Sequence, residues 1–325
     1  MLRMSIPARI HFCWIGPVLP WAYVFAVLSA AAQGNMDEVV LHHTDALQDG
    51  PELAALRHAP SVRLNHIDPA ALLGQAEAQL ALPGGLTSLY NQLKSPVMRA
   101  DVLRAAILYL EGGVYLDMDT ITVAALRPLL GSIPFIGAER IVWPHWVRLS
   151  RSPFVWARHL ALDVLRTIWR LVPGGWRGFH FIEGWYVNGV NNAIMGSPPG
   201  APLFAAYLRS MAALPVARLG EPYALGPDML QALIIGLPPE ALTIHKPEVF
   251  YPFAPEISAH WFRPTSNPKL DLALKPETRI VHWYASVRSK PYVAVITPDY
   301  VRAHRHDQLY SALVCRALPH LQEHA

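Results

Sequence analysis

The sequence has little cysteine and little charge, and it lacks a long apolar run. Cys13 and Cys315 are the only cysteines in its 325 residues, and their separation provides neither a disulfide framework nor a CxxC metal pair. A reducing, cytoplasmic location therefore fits best, with a single bridge between the two cysteines left open. The longest apolar run, Trp21 to Ala32, is shorter than the roughly 20 residues that span a membrane. We expect no transmembrane helix.

Charged residues make up 16% of the chain, against about 25% in typical soluble domains, and the mean hydropathy is +0.22. Either much of the chain is buried, or part of its apolar surface meets a partner or a membrane. The formal net charge is only +3, and the sequence has no run of lysine or arginine. Nucleic acid is therefore not an expected partner.

One segment departs from this low charge, because arginine and tryptophan are interleaved across 139–180. Its arginines outnumber Glu139 and Asp163, and they are Arg140, Arg148, Arg151, Arg158, Arg166, Arg170 and Arg177. The stretch FVWARHLALDVLRTIWRLV is amphipathic and basic enough to lie on an anionic membrane surface. We predict an insertion at 139–180 with peripheral membrane contact through 146–178. The alternative is a solvated helix with a buried tryptophan face.

The first part of the chain alternates strand-like and helix-like segments. We predict strands within IPARIHFCWIG, at Glu38–His43 and at Val62–Ile67, and helices at Trp21–Gln33, Pro69–Leu82 and Pro96–Leu110. The segment TSLYNQLKS is predicted as a loop. Later strand candidates are PFIGAE, LTIHK and a short apolar run that ends near His282. This alternation predicts an open α/β sheet.

The stretch EGGVYLDMDT carries two carboxylates close together after a double glycine. If VYLDMDT is a strand, its period of two places Tyr115, Asp117 and Asp119 on one face. Ligands gather at the carboxyl ends of strands in open α/β sheets, and paired carboxylates suit Mg²⁺ or Mn²⁺, which bind phosphate oxygens. An isolated Asp-x-Asp is a weak signal, because Asp119 or Thr120 could simply cap a turn.

Two kinds of chemistry use such a pair. A Mg²⁺-dependent phosphatase of the haloacid-dehalogenase type would use Asp117 as its nucleophile, but its motif DxDx[TV] fails at Ile121, and the chain has no Asp-Asp dipeptide for the later metal-binding pair. In nucleotide-sugar transfer, the pair holds a divalent ion against a diphosphate, and the ion stabilises the leaving group.

Three motifs in order carry a more specific resemblance. Ile-Pro-x-x-Ile-His-x-x-Trp-x-Gly begins at Ile6, Asp-x-x-Arg begins at Asp101, and Gly-Gly-x-Tyr-x-Asp-x-Asp begins at Gly112. Together they resemble the DXD sugar-binding region of family thirty-two type glycosyltransferases, which is similar also to the large glucosylating toxins and the fungal outer-chain mannosyltransferases. The strong part of the resemblance covers roughly residues 5 to 125.

The resemblance implies a GT-A fold, a single Rossmann-like α/β domain over 1–325 with a mixed central sheet and helical insertions. Residues 1–130 would form the nucleotide-sugar-binding half, and 181–325 the acceptor side and a C-terminal metal and donor loop. It further implies a retaining transferase that uses Mn²⁺ or Mg²⁺ and a UDP- or GDP-sugar donor. The acceptor would be a glycan, a lipid-linked compound or a small molecule. The expected context is glycan or polysaccharide biosynthesis. A toxin-like protein glycosyltransferase and a non-catalytic binding module remain alternatives.

Donor-binding roles follow from the resemblance residue by residue. It implies that Trp14 stacks on the donor base, that Asp101 and Arg104 reach the sugar hydroxyls and the diphosphate, and that Tyr115 lies under the diphosphate. Asp117 would bind ribose and sugar hydroxyls. From the residues alone, Trp14 and Tyr115 could equally be core aromatics, and Asp101 and Arg104 a surface ion pair worth a few tenths of a kcal/mol.

Metal-binding and catalytic roles are implied for later residues. Asp119 would bind the metal directly, with His282 as a further protein ligand. Asn191 and Ser286 are expected at the donor, and Asn192 at the sugar pocket. The resulting catalytic set is Asp117, Asp119 and Asn192.

Overall fold

The computed structural model describes residues 4–322 except 222 and 288. Its strands, in chain order, are β1 (Arg9–Trp14), β2 (Glu38–His43), β3 (Val62–His66), β4 (Gly113–Leu116), β5 (Thr120–Thr122), β6 (Phe135–Ile141), β7 (Val187–Ser197), β8 (Thr243–His245) and β9 (Ile280–His282). Its α-helices are α1 (Trp21–Gln33), α2 (Pro51–His58), α3 (Pro69–Leu80), α4 (Gly85–Gln92), α5 (Pro96–Glu111), α6 (His145–Leu149), α7 (Pro153–Leu171), α8 (Trp176–Ile182), α9 (Pro202–Ala212), α10 (Pro227–Ile234), α11 (Pro247–Phe250), α12 (Leu270–Ala273), α13 (Lys290–Val293), α14 (Pro298–Ala303) and α15 (Leu309–Ala317).

A mixed seven-stranded sheet forms the centre of the molecule, in the order β3-β2-β1-β4-β7-β6-β8. The strands β3, β2, β1 and β4 are parallel, whereas β7 runs antiparallel to both β4 and β6. Helices cover the parallel half because each crossover between parallel strands needs one. The predicted α/β class with a mixed central sheet is confirmed.

Side chains of β1 and β4 alternate between two cores. Cys13 and Tyr115 pack with the apolar side of α5, whereas Phe12, Val114 and Leu116 pack with that of α1. This alternation points Tyr115 at α5, the helix that carries Asp-x-x-Arg. Cys13 and Cys315 are both buried, and no disulfide joins them.

The predicted strand VYLDMDT is wrong beyond Leu116. Asp117 to Asp119 form a turn, in which the Asp117 backbone N–H donates to the carbonyl of Ala193 at 2.8 Å and the Thr120 hydroxyl donates to the Asp117 carbonyl at 2.7 Å. The chain then leaves the large sheet, and β5 pairs antiparallel with β9 in a separate two-stranded sheet. The two carboxylates therefore sit where the chain passes between the sheets.

Two helices in the first part of the chain, before β4, were not predicted. The segment expected as the loop TSLYNQLKS lies largely in α4, whose Leu86, Leu89 and Tyr90 are buried against the core. Its serine, threonine and asparagine resemble a loop sequence, but burial of three apolar side chains outweighs that local preference. The second unpredicted helix is α2.

The arginine- and tryptophan-rich segment expected from 139 begins inside the sheet, because 139–141 belong to β6. The helices α6, α7 and α8 follow, and one 3₁₀ turn at Glu183–Trp185 leads back into β7. Within the described part of the chain, no helix combines the length and apolarity that crossing a bilayer requires.

Candidate active site

Arg104 is the centre of a buried polar network at the junction of α5, β4 and β7. Its guanidinium lies 3.0 Å from the Asp117 carboxylate and 3.4 Å from that of Asp101, and it donates to the backbone carbonyl of Asn192 at 2.9 Å. It also lies over the Tyr115 ring, 4.7 Å from the centroid. Asp101 and Arg104 are buried, so they are not a surface ion pair.

The same network holds the other predicted donor residues. The Asn192 amide donates to Asp101 at 2.8 Å, and the Tyr115 hydroxyl donates to Asp117 at 3.0 Å. Five side chains predicted from two separate motifs and a distant Asn-Asn pair thus meet in one place. Asn191 lies beside them, and its side-chain oxygen accepts from the Ala193 N–H at 2.7 Å.

Burial and charge set the protonation of this network. Burial would lower the pKa of Arg104, but Asp117, Tyr115 and Asp101 raise it well above its usual value, so it remains a cation. Burial raises the pKa of Asp117 to about 6; Arg104 opposes that rise, and the nearby Asp119 carboxylate adds to it. One guanidinium therefore serves carboxylates that repel each other.

Asp119 is fixed by the chain around β9. One carboxylate oxygen lies 2.9 Å from His282 Nε2, and the other accepts the Ala285 backbone N–H at 2.7 Å. The backbone carbonyl of Asp119 accepts the Trp283 N–H at 3.0 Å. Burial would raise the pKa of Asp119, but the His282 ring lowers it; burial would lower the pKa of His282, but Asp119 raises it.

Asp117, Asp119 and His282 together form a candidate metal centre. One potential ligand atom from each lies within 4.8 Å of the other two. Carboxylate oxygens suit both Mg²⁺ and Mn²⁺, and an imidazole nitrogen is acceptable to Mn²⁺. Asp101 and Asp117 share the single guanidinium of Arg104, which leaves an excess of negative charge. The donor set therefore fits a divalent cation.

A second layer behind His282 was missed by the sequence analysis. The Tyr284 hydroxyl donates to Glu139 at 3.0 Å, and the Tyr284 ring meets the His282 ring edge-on with 4.1 Å between centroids. Tyr284 has a φ of 57°, which is a left-handed conformation that a tyrosine seldom adopts. Burial raises the pKa of Glu139, against hydrogen bonds from Asn191 and Tyr284 that lower it. From the sequence alone, Glu139 is only one of two acidic residues in the arginine-rich segment.

Trp14 and Ser286 lie farther out. Trp14 is half-buried at the end of β1; its ring is 5.0 Å from that of Tyr23, which is 6.3 Å from Trp283. Burial, with a contribution from the Asp119 charge, raises the pKa of Tyr23 to about 12. An aromatic row thus runs from Trp14 to the chain that holds Asp119. Ser286 is exposed in the turn after Ala285.

A family comparison covers the centre of this site. Residues 73–136 match the family described as the glycosyltransferase sugar-binding region containing the DXD motif. The matched segment includes Asp101, Arg104, Tyr115, Asp117 and Asp119. This segment therefore carries the DXD sugar-binding region of a glycosyltransferase. The match favours sugar transfer over the phosphatase hypothesis for Asp117.

Solved structures similar to this glycosyltransferase share little sequence with it. The PaToxG glycosyltransferase is 15% identical over 71% of this chain and 69% of its own, with a TM-score of 0.44. Mouse xyloside xylosyltransferase 1 is 14% identical over 84% of this chain and 96% of its own, also with a TM-score of 0.44. The galactosyltransferase LgtC, in complex with donor and acceptor sugar analogues, is 14% identical over 89% and 96%, with a TM-score of 0.37. No curated protein matches the chain in sequence.

Proposed function

We propose that this glycosyltransferase moves a sugar from a UDP- or GDP-sugar to an acceptor hydroxyl, with retention of the anomeric configuration and with Mn²⁺ or Mg²⁺. One observation carries the proposal: potential ligand atoms of Asp117, Asp119 and His282 lie within 4.8 Å of one another. They adjoin the buried network of Arg104 inside the matched sugar-binding region. Ligands of open α/β sheets bind at this end of the strands.

Asp119 and His282 would hold the cation, with Asp117 as the adjacent carboxylate. When bound, the cation supplies Lewis-acid stabilisation of the departing nucleoside diphosphate. The Ala285 N–H holds one Asp119 oxygen, which fixes the orientation of the carboxylate before any ligand arrives. Such preorganisation lowers the cost of reorientation on binding.

Arg104 has a different role from the direct contact that the resemblance implies. Its guanidinium is already shared by Asp101, Asp117 and the Asn192 carbonyl. We propose that it acts mainly by holding Asp117 and β7 in place. The nucleotide and sugar would then contact Asp117, Tyr115 and Asn192, with Trp14 under the base and with Asn191 and Ser286 completing the donor site.

The biological acceptor is proposed at the level of chemical class: a hydroxyl of a glycan, a lipid-linked compound or a small molecule, in glycan or polysaccharide biosynthesis. The two cysteines are buried and are not joined by a disulfide, which supports a reducing, cytoplasmic location. Peripheral membrane contact through 146–178 would suit a lipid-linked acceptor.

A panel of nucleotide sugars, each tested with and without Mn²⁺ in a thermal-shift measurement, tests the proposed function. We expect one UDP- or GDP-sugar to raise the melting temperature only when Mn²⁺ is present, because binding to the folded state stabilises it. The Asp119→Asn variant should lose that response. Stabilisation by no nucleotide sugar, under either condition, would contradict the proposal.

A further inference from the structure

The side of α7 that faces the protein carries charged side chains as well as apolar ones. Arg166 pairs with Asp163 and lies 3.8 Å from Glu256, and Arg170 lies 3.1 Å from Glu256. His159 is buried, and its Nδ1 lies 2.6 Å from the Val142 carbonyl oxygen. A helix on the surface of a globular protein normally buries its apolar side and exposes its charges. On α7, His159 and Arg166 are buried beside the apolar Leu162, whereas a second apolar face stays in contact with solvent.

The opposite side of α7 is an apolar stripe in contact with solvent. Its members recur at intervals of three or four residues, which places them on one helix face. They are Trp156, Leu160, Val164, Ile168 and Leu171, with exposed fractions of 43%, 57%, 52%, 49% and 62%. Other exposed apolar side chains are Phe154 at the start of α7 and, in the neighbouring elements, Trp146, Leu149, Phe181 and Trp185. Of the two tryptophans of α7, Trp169 packs against the core, as the alternative of a buried tryptophan face expects, whereas Trp156 belongs to the exposed stripe.

Basic side chains surround the apolar stripe. Arg148 and Arg151 precede α7, Arg158 lies within it and Arg177 follows it, and all four are exposed. Among the described residues, no carboxylate forms an ion pair with any of them. The acidic residues described between 142 and 186 are Asp163 and Glu183, and both are half-buried. The surface is therefore apolar and positively charged.

We propose that this surface, comprising the α7 stripe and its flanking arginines, docks on an anionic phospholipid bilayer with α7 parallel to the membrane plane. A large exposed apolar patch marks an interaction site, and tryptophan with arginine is the composition typical of the bilayer interface. The positive charge selects anionic headgroups over a neutral surface. This docking does not depend on the donor chemistry proposed above, so either proposal can fail alone.

The location of the surface relates it to the active site. The strand β6 carries Glu139 of the site and leads directly into α6 and α7. A bilayer against α7 would thus contact an element joined to the site by one strand. A lipid-linked acceptor, which rests on the proposed function, would be presented to the enzyme at the membrane surface by this docking.

Co-sedimentation of the whole chain with vesicles tests the docking. We expect binding to vesicles of phosphatidylcholine with phosphatidylglycerol at low salt, and little binding to phosphatidylcholine alone. The variant Leu160→Glu/Ile168→Glu should weaken binding by about tenfold or more, and Arg151→Glu/Arg177→Glu should do the same and reduce the salt dependence. The matched control is Ile235→Glu, which places a charge at a side chain that is 75% exposed elsewhere and should leave binding unchanged.

Three results would overturn the docking proposal. The first is wild-type protein that stays in the supernatant with anionic vesicles at low salt. The second is undiminished sedimentation of Leu160→Glu/Ile168→Glu, with circular dichroism showing that the variant is folded. The third is a vesicle-independent dimer in analytical ultracentrifugation that the same variant dissociates, because a second copy would then cover the surface.

Discussion

A single buried guanidinium holds the two halves of the candidate donor site together. Arg104 contacts Asp101 on its own helix, Asp117 in the turn after β4 and the carbonyl of Asn192 on β7. Removal of one partner from a buried ion pair leaves an uncompensated charge, and the cost is far greater than that of an exposed pair.

The variant Arg104→Gln tests this role. We expect the free energy of unfolding to fall by about 3–5 kcal/mol, because Asp101 and Asp117 would remain buried without a cation. The control Arg57→Gln, which breaks the exposed pair with Asp49, should cost less than about 1 kcal/mol. Urea unfolding of the three proteins gives both values. Equal losses in the two variants would show that Arg104 does not hold the network.

Tyr284 couples Glu139 to the candidate metal ligand His282. Its hydroxyl bonds to Glu139, and its ring lies against the imidazole. In Tyr284→Phe the ring remains but Glu139 loses a buried donor, so we expect a loss of about 1–3 kcal/mol in stability. The ring would also lose the hydrogen bond that fixes its position against His282, so we expect the Mn²⁺ affinity to fall by about tenfold. Calorimetric titration with Mn²⁺ measures this, and unchanged affinity would mean that His282 is positioned without Tyr284.

At the scale of elements, the candidate active site depends on the position of β4, because the turn that carries Asp117 and Asp119 follows this strand. Gly113 begins β4 with a φ of 96°, and a Cβ there would lie 2.8 Å from both the Arg9 carbonyl oxygen and His11 Nε2. No side chain fits this position without movement of β4 or β1. The double glycine therefore ends α5 and also allows the close contact between the two strands.

Gly113→Ala should consequently destabilise the protein by more than about 1 kcal/mol, since both the backbone conformation and the available space oppose a methyl group. Gly131→Ala is the matched control, because a Cβ there meets nothing within 4 Å. Thermal unfolding compares the two variants. A melting temperature for Gly113→Ala equal to that of the control would contradict the role given to this glycine.

Local sequence signals predicted the elements whose boundaries are set locally. The helix α1 has its predicted bounds, since Pro20 precedes it and Gly34 follows, and α5 ends at Gly112 as expected. The turn at Asp117–Asp119 was not predicted, because it depends on pairing of β5 with β9, far away in sequence. Glu139 was missed for the same reason: it lies in β6, and only the fold brings it to Tyr284, which follows His282 by two residues.

At the scale of the whole molecule, several buried histidines have lowered pKa values, which make the folded state less stable in acid. His11 Nδ1 lies 2.9 Å from His42 Nε2, and Asn65 lies 3.0 Å from the other nitrogen of His42. Burial, with the charges of His42 and Arg9, lowers the pKa of His11 well below its usual value. Burial, with the charges of Arg63 and Arg9, lowers the pKa of His42 to about 4. Burial also lowers the pKa of His260 to about 4.

Stability should therefore decrease as the pH falls from about 6.5 to about 4. A histidine with a lowered pKa in the folded state takes its proton more readily in the unfolded chain, so acid favours unfolding by up to about 1.4 kcal/mol per pH unit for each such group. The raised pKa of His282 acts in the opposite direction. Urea unfolding across this range should show a smaller slope in His42→Gln than in the wild type. An identical slope in both would contradict the assignment to His42.

The central claim is that Asp119 and His282, with the carboxylate of Asp117 beside them, bind a divalent cation. Mn²⁺ titration followed by electron paramagnetic resonance tests this claim most directly. We predict one tight site in the wild-type chain and a loss of affinity greater than about 100-fold in Asp119→Asn, since a direct ligand should matter more than the groups that orient it. Circular dichroism confirms that the variant is folded. Equal Mn²⁺ affinity in wild type and Asp119→Asn would contradict the account.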